Sequence, residues 1–246
     1  MATTVGTPLG VTASHRSSPT VVLPPLPVTS GLQVHLDAAD STTFSYSSGV
    51  SVSQWRDKSG NARHFSQATA SLQPQRTGTQ NGYSVVAFDG ADDYMASTTF
   101  TLPQPFTVCM AVNISPPGDF AQGWMASQGG NFQIYSSSSG GNPRIYAGSE
   151  IQSTGGSNGH DGLHTWGFVV TGASSAIYKD NVQTVTGNAG TNGTTTGLYI
   201  STERGLTAGF RLTGALFETV VYNRVINATE RGQLQTYFVT KWGTPP

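Results

Sequence analysis

Cysteine is almost absent from this 246-residue sequence, which contains Cys109 alone. A single cysteine excludes an intrachain disulfide. Because Cys109 lies in an apolar run, residues 106–114, we expect a buried free thiol in a strand.

Charge and long hydrophobic runs are scarce as well. Asp, Glu, Lys and Arg make up 10% of the residues and the formal net charge is -1, so we expect no nucleic-acid or membrane partner. No stretch approaches the roughly 18 apolar residues of a transmembrane helix. Residues 1–27 lack a positively charged stretch followed by a continuous apolar one, so no signal peptide is predicted.

Glycine, serine and threonine are abundant, with 30 glycines, and this composition favours many short strands joined by tight turns. Apolar or alternating segments recur along the chain between turn residues, which is typical of a sandwich. The predicted strands are residues 32–37, 83–88, 106–114, 123–127, 131–135, 144–148, 164–171, 176–179, 198–201, 210–212 and 216–222.

The C-terminal residues predict one amphipathic helix after the last strand. Asn227 is a good N-cap and Glu230 stands at the capping-box spacing. Gly243 can adopt the left-handed conformation that ends a helix. The apolar stripe of the helix is predicted to comprise Leu234, Tyr237, Phe238, Lys241 and Trp242.

A family resemblance appears in several motifs that occur in a consistent order. They are Gly31-Leu32, Leu36-Asp37-Ala38, Trp55, Asp57 to Asn61, Phe88-Asp89-Gly90, Asp92-Asp93-Tyr94, Gly214, Glu218, Tyr222-Asn223-Arg224, Glu230-Arg231 and Lys241-Trp242-Gly243. Together they resemble the laminin-G-like domains of the concanavalin A-like lectin/glucanase superfamily. The resemblance covers residues 31–243. It is specific for fold but not for function, because this fold hosts glycan binding, hydrolysis and scaffolding alike.

The resemblance implies an all-β, two-sheet antiparallel jelly-roll sandwich with a C-terminal helix. It also implies a hairpin at residues 178–182, in which a short turn joins two strands. We expect this domain to comprise residues 31–246 and to follow an extended, proline-rich N-terminal arm, residues 1–30, which holds five of the 13 prolines. An apolar, extended arm needs a surface to cover it. The residues predicted to bind a partner through the arm are Val21, Val22, Leu23, Pro24, Pro25 and Leu26.

Catalytic motifs are not recognised in the sequence. Glycosidases of this superfamily carry closely spaced acidic residues on one strand, whereas the four glutamates here are isolated. We interpret Glu218 as a structural residue of its strand. No catalytic residue is predicted, and neither a phosphate-binding glycine loop nor a nucleophile elbow is present.

Metal and cofactor sites are not expected either, with one alternative left open. His160 and His164 are four residues apart, a spacing that places two side chains on one face only in a helix. Here a turn is predicted around His160 and a strand from His164 onward, so the two side chains should diverge. Asp89, Asp92 and Asp93 form the densest carboxylate cluster, and their oxygens would suit calcium. Turn-forming, solvated aspartates are the other interpretation.

Glycan binding would require aromatic platforms with polar groups beside them. The candidate residues are Trp124, Tyr135 and Tyr146, each of which lies in a predicted short strand.

The function that we predict from these observations is structural. Laminin-G-like modules similar to this one occur in phage structural proteins, and the sequence has neither an export signal nor disulfides. We expect a non-enzymatic capsid decoration or cement protein on the virion surface. Its arm would bind the major capsid protein or another virion protein, and the protein would be a homo-oligomer. The alternatives are a tail-fibre adhesin or carbohydrate-binding module that recognises host surface glycans, a cytoplasmic scaffold, and a glycan hydrolase.

Overall fold

The computed structural model describes residues 23–115, 121–137, 141–154, 159–203, 206 and 210–246. Within these ranges the chain forms seventeen antiparallel β-strands, one α-helix and three single turns of 3-10 helix. The strands are β1 (Leu32–Asp37), β2 (Phe44–Ser48), β3 (Ser51–Trp55), β4 (Phe65–Ser66), β5 (Gln75–Gln80), β6 (Tyr83–Asp89), β7 (Met95–Ser97), β8 (Phe106–Ile114), β9 (Gln122–Ser127), β10 (Gln133–Ser136), β11 (Pro143–Tyr146), β12 (Glu150–Gln152), β13 (Gly162–Val170), β14 (Ser175–Lys179), β15 (Val182–Gly187), β16 (Leu198–Ile200) and β17 (Thr213–Tyr222). The α-helix is α1 (Ala228–Trp242).

The strands form two layers of one folded sheet. The first layer runs β15-β14-β13-β8-β17, and β17 then pairs with β1 along its second half and with β6 along its first half. The second layer runs β12-β11-β10-β9-β16-β7-β4-β3-β2. Strand β5 joins the layers by pairing with β6 and β3. The result is a sandwich or barrel-like arrangement.

Aromatic side chains from both layers fill the space between them. Trp124 of β9 contacts Trp166 of β13 edge-to-face with ring centroids 5.6 Å apart, and Phe106 contacts Phe132 at 4.9 Å. All four side chains are buried. Because burying each large apolar side chain contributes roughly 1.5–3 kcal/mol, this inter-layer core dominates the stability of the fold.

Helix α1 covers the outer face of the first layer. The helix begins at the Asn227 cap with the complete capping box to Glu230, and it ends at Gly243 with a φ of 68°. Leu234 and Phe238 line a small cavity with Cys109 of β8. The buried residues of α1 confirm the predicted stripe: they are Leu234, Tyr237, Phe238, Lys241 and Trp242. In the described part of the chain, no helix has the length and apolarity to cross a bilayer.

Most strand predictions are confirmed to within two or three residues, as are the all-β class and the single C-terminal helix. The predicted hairpin is also present: Asp180 and Asn181 adopt positive φ between β14 and β15, as a tight two-residue turn requires. The prediction of a strand at residues 210–212 is wrong, since this segment pairs with no neighbour as a strand. Apolar residues alone do not specify a ladder partner.

The described end of the predicted arm packs on its own domain. Val28 is buried in the core, and its carbonyl accepts a hydrogen bond of 2.9 Å from the Tyr222 hydroxyl. Leu26 packs against the same core, while Leu23 and Pro24 are half-buried and Pro25 is exposed. Val21 and Val22 lie outside the described residues.

A buried charge network joins β1, β17 and α1. Lys241 Nζ lies 2.8 Å from both Asp37 Oδ1 and Glu218 Oε2, and all three residues are almost completely buried. Glu218 also accepts hydrogen bonds from Tyr237 and Trp242 at 2.8 Å. Every charge in this network therefore has a partner of opposite sign, as burial requires.

We expect Lys241→Ala to reduce the free energy of unfolding by about 3–5 kcal/mol, because it removes the ammonium beside buried Glu218 and leaves Asp37 with Lys58 as its cationic partner. Urea denaturation at neutral pH measures this loss. Lys58→Ala is the matched control, since Lys58 also pairs with Asp37 at 2.9 Å but is 26% exposed, so the control should lose less. Equal losses in the two variants would contradict a dominant role for Lys241.

Candidate functional site

The outer face of the second layer carries a group of polar and aromatic side chains. In β10, β11 and β12, the buried residues Ile134, Ile145 and Ile151 pair with one another and point into the core. Because side chains alternate along a strand, their neighbours point outward. The outward residues on these three strands are Gln133, Tyr135, Arg144, Tyr146, Glu150 and Gln152.

The strand register extends this face across β9 to β16. Tyr199 pairs with Ala126, Ala126 with Gln133, Gln133 with Tyr146, and Tyr146 with Glu150. Directly paired residues share a face, so this row crosses five strands on the outside of the layer. With neighbouring strands about 4.8 Å apart, Tyr199 and Tyr146 stand about 14 Å from each other.

Four tyrosines share this outer surface, and we call them the tyrosine face: Tyr94, Tyr135, Tyr146 and Tyr199. All four are half-buried. Tyr94 contacts Tyr199 edge-to-face at 5.8 Å, and the guanidinium of buried Arg211 lies 5.1 Å from the centre of the Tyr94 ring. Aromatic side chains of the tyrosine face therefore lie on both sides of the paired residues Ala126 and Gln133.

An ion pair with a hydrogen-bonded phenol lies at the β10–β12 end of the tyrosine face. Arg144 Nη1 lies 2.8 Å from Glu150 Oε1, and the Tyr135 hydroxyl donates to Glu150 Oε2. Burial and this hydrogen bond to a carboxylate both raise the pKa of Tyr135. The phenol therefore keeps its proton and acts as a donor to Glu150.

The predicted glycan-binding residues fall into two groups. Tyr135 and Tyr146 lie together on the tyrosine face, but Trp124 is fully buried between Trp166 and Phe168. The prediction that Trp124 forms a sugar platform is therefore corrected. The reason is a β-bulge in β9. Ile134 of β10 pairs with Met125 and the next residue, Tyr135, pairs with Gly123, so Trp124 has no paired residue in β10 and its side chain turns inward.

Tyr94 and Tyr199 belong to the face but were not predicted. Tyr199 lies in a strand of three residues, too short for alternation to show which face it occupies. Tyr94 follows Asp92 and Asp93, a pattern that we interpreted as a turn. Tyr94 and Tyr199 come together because β16 pairs with β7, and this pairing of distant strands cannot be predicted from one short segment.

The carboxylates of Asp89, Asp92 and Asp93 do come together, with one oxygen of each within 4.8 Å of the others. Burial and the negative charge of Asp89 raise the pKa of Asp93 to about 7. Asp89 Oδ1 meanwhile accepts backbone hydrogen bonds within the turn, including one of 2.8 Å from Ala91. The cluster borders a cavity of about 350 Å³. Calcium binding here stays the alternative that the sequence left open, beside turn-forming aspartates.

The two histidines of the sequence His160 to His164 have separate partners. His160 Nε2 lies 2.6 Å from the buried Ser136 hydroxyl, and burial lowers the pKa of His160. His164 contacts Asp180 through Nδ1 at 2.6 Å and Asp161 through Nε2 at 3.1 Å. Each imidazole is thus held in its own network.

Comparison with known proteins finds the same fold in several solved structures. Trypanosoma rangeli sialidase in complex with sialic acid aligns with a TM-score of 0.61 and 16% identity over 92% of this chain and 36% of the sialidase. Domain 4 of AbnA, a GH43 extracellular arabinanase from Geobacillus stearothermophilus, in complex with arabinotriose, aligns with a TM-score of 0.57 and 12% identity over 84% of this chain and 97% of that domain. A W1252A mutant of HCR D/C VPI 5995 aligns with a TM-score of 0.57 and 10% identity over 84% of this chain and 52% of that protein.

No family model matches the sequence, and no curated protein matches it. At 10–16% identity the shared property is the fold. The chain spans about a third of the length of the sialidases that it matches.

The prediction that the protein is not an enzyme is contradicted by this comparison. The matched structures include sialidases and a domain of an arabinanase, which are glycosidases, whereas we predicted a non-enzymatic protein from the spacing of its glutamates. The spacing of the glutamates argues only against a pair of catalytic carboxylates on a single strand. It does not bear on aspartates that a turn brings together, such as Asp89 and Asp93.

We expect Asp93→Asn to become more stable relative to the wild type as pH rises from 4 to 8. The folded-state pKa of about 7 lies above the ordinary value of 3.8, so the folded wild type binds more protons than the unfolded chain in this window and loses stability as pH rises. Melting temperatures at pH 4, 6 and 8 measure the effect.

Asp40→Asn is the control with the opposite sign. Burial opposes the shift, but hydrogen bonds from Lys58 and Thr42 lower the pKa of Asp40 to about 2. Its carboxylate therefore stabilises the fold above pH 4, and that variant should be the less stable one at neutral pH. A stability difference for Asp93→Asn that does not change with pH would refute the raised pKa.

Proposed function

We propose that the domain binds glycans on the tyrosine face. The observation that carries the proposal is the grouping of Tyr146 and Tyr199 with the Arg144–Glu150 pair on the sheet surface opposite α1. Aromatic rings stack on the apolar faces of sugar rings, and neighbouring charged or amide groups bind hydroxyls. This combination of an apolar body with a few polar groups is what a sugar requires.

The matched structures support the proposal through their ligands. The arabinanase domain was solved with arabinotriose and has nearly the size of this chain, since the alignment covers 97% of it. A sialidase was solved with sialic acid. A domain of this architecture and size therefore occurs among proteins that bind oligosaccharides.

The finer fold and the biological setting are further parts of the proposal. We infer that the two layers follow the connections of a laminin-G-like jelly roll, for which the family motifs in the sequence are the support. Decoration of a phage capsid stays a prediction. Its arm residues Val21 and Val22 lie outside the described structure, while Leu26 packs against the core of its own domain.

Glycoside hydrolysis is the second candidate function, and Asp93 is the observation that favours it. A glycosidase needs one carboxyl that keeps its proton near neutral pH and a second carboxylate close by. Asp93, with a pKa of about 7, and Asp89 meet this description at the edge of a cavity lined by Ser51, Gln73 and Gln75.

We expect Tyr146→Ala and Tyr199→Ala each to weaken glycan binding about tenfold or more, equivalent to about 1.4 kcal/mol, because each removes one aromatic platform. Affinity electrophoresis or calorimetry with the strongest ligand from a glycan array measures the change. Tyr178→Ala is the matched control, since Tyr178 is a half-buried tyrosine on the first layer beside Arg231 of α1. Equal effects of all three substitutions, or no ligand on the array, would refute the proposal.

Hydrolysis is tested by release of reducing ends from arabinan and from sialylated and other polysaccharides. Release by the wild type that disappears in both Asp89→Asn and Asp93→Asn, with the folded state retained, would support the second candidate. No release from any substrate, or release that both variants retain, would reject it.

A further inference from the structure

We infer that Glu150 is the specificity-determining residue of the tyrosine face, and that it selects neutral sugars by accepting hydrogen bonds from two adjacent hydroxyl groups. This inference rests on the proposed glycan-binding function. It adds the class of ligand and names the residue that recognises it.

The carboxylate of Glu150 is held in place and still has acceptor capacity. Arg144 donates to Oε1 at 2.8 Å, and the Tyr135 hydroxyl donates to Oε2. An ionised carboxylate accepts at about four lone-pair positions, so each oxygen keeps one position for a ligand. The Glu150 side chain is 36% exposed, which leaves these positions accessible from solvent.

Tyr146 supplies the platform beside this acceptor. The register pairs Tyr146 with Glu150 directly across β11 and β12. Side chains of such a pair have Cβ atoms about 4.5–5.5 Å apart on the same face. A sugar ring stacked on Tyr146 therefore presents the hydroxyls at its edge to Glu150, and two neighbouring hydroxyls match the two oxygens of one carboxylate.

The charge balance at this end of the face favours a neutral ligand. The positive charge of Arg144 is already paired with Glu150, and no second cation lies within ion-pair distance of Glu150 among the residues described. A carboxylated sugar in this position would place its own negative charge next to Glu150. Such like-charge contacts are a common way to reject the wrong ligand.

The test compares wild-type protein, Glu150→Gln and Tyr146→Ala on an array of neutral and carboxylated oligosaccharides. We expect the wild type to bind neutral members of the array. Glu150→Gln keeps the size of the side chain but loses the charge and one acceptor, so its affinity for the best neutral ligand should fall at least tenfold, measured by calorimetry. It should also bind carboxylated ligands better relative to neutral ones, because Arg144 becomes unpaired.

Gln183→Ala is the matched control, since Gln183 also accepts a hydrogen bond from a tyrosine hydroxyl, that of Tyr178, but lies in β15 of the first layer. A second measurement uses the wild type alone: a deoxy analogue of the best neutral ligand, lacking one of two adjacent hydroxyls, should bind at least tenfold more weakly. This measurement holds even if a substitution disturbs folding.

The possible outcomes distinguish a failure of the inference about Glu150 from a failure of the proposed glycan binding. Binding that depends on Tyr146 but is unchanged in Glu150→Gln would overturn the inference and leave glycan binding in place. A preference of the wild type for carboxylated sugars would do the same. Binding that does not depend on Tyr146, or no binding at all, would overturn the proposed function and the inference together.

Discussion

The buried contact between Lys241 and Glu218 is the interaction on which the arrangement of this protein depends. Two carboxylates, Glu218 and Asp37, are buried on neighbouring strands, and the ammonium of Lys241 from α1 lies 2.8 Å from each of them. Burial opposes ionisation of Glu218, but the hydrogen bond from His35 and the charge of Lys241 outweigh it, and the pKa of Glu218 lies below its ordinary value. These contacts favour the observed position of the helix on β1 and β17.

The position of α1 decides which sheet surface the helix covers. Because the helix packs on Cys109 and its neighbours, the outer face of the first layer is covered. The second layer carries no helix in the described part of the chain, and its outer face holds Tyr146, Tyr199 and the Arg144–Glu150 pair. A structural charge network on one side of the molecule thus leaves a candidate recognition surface on the other.

Features that depend on local periodicity could be predicted from the sequence. The cap at Asn227, the end at Gly243 and the strand β8 follow from short-range rules, and the structure confirms them. The candidate site could be predicted only in part, because its members meet through the register of strands that are distant in sequence. The bulge that buries Trp124 depends on how β9 pairs with β10, and no property of β9 alone reveals it. The charge network could not be predicted from the sequence either, since the partners of Glu218 come from both ends of the chain.

The claim that glycans bind to the second layer is tested most directly by mapping the binding site in solution. Backbone amide chemical shifts of the protein can be followed while the best neutral oligosaccharide is added. Binding at the tyrosine face predicts shift changes concentrated in β9 to β12 and β16, with α1 and β13 unaffected. Changes centred on α1 and the first layer would contradict this account, because they would place the ligand on the face that the helix covers.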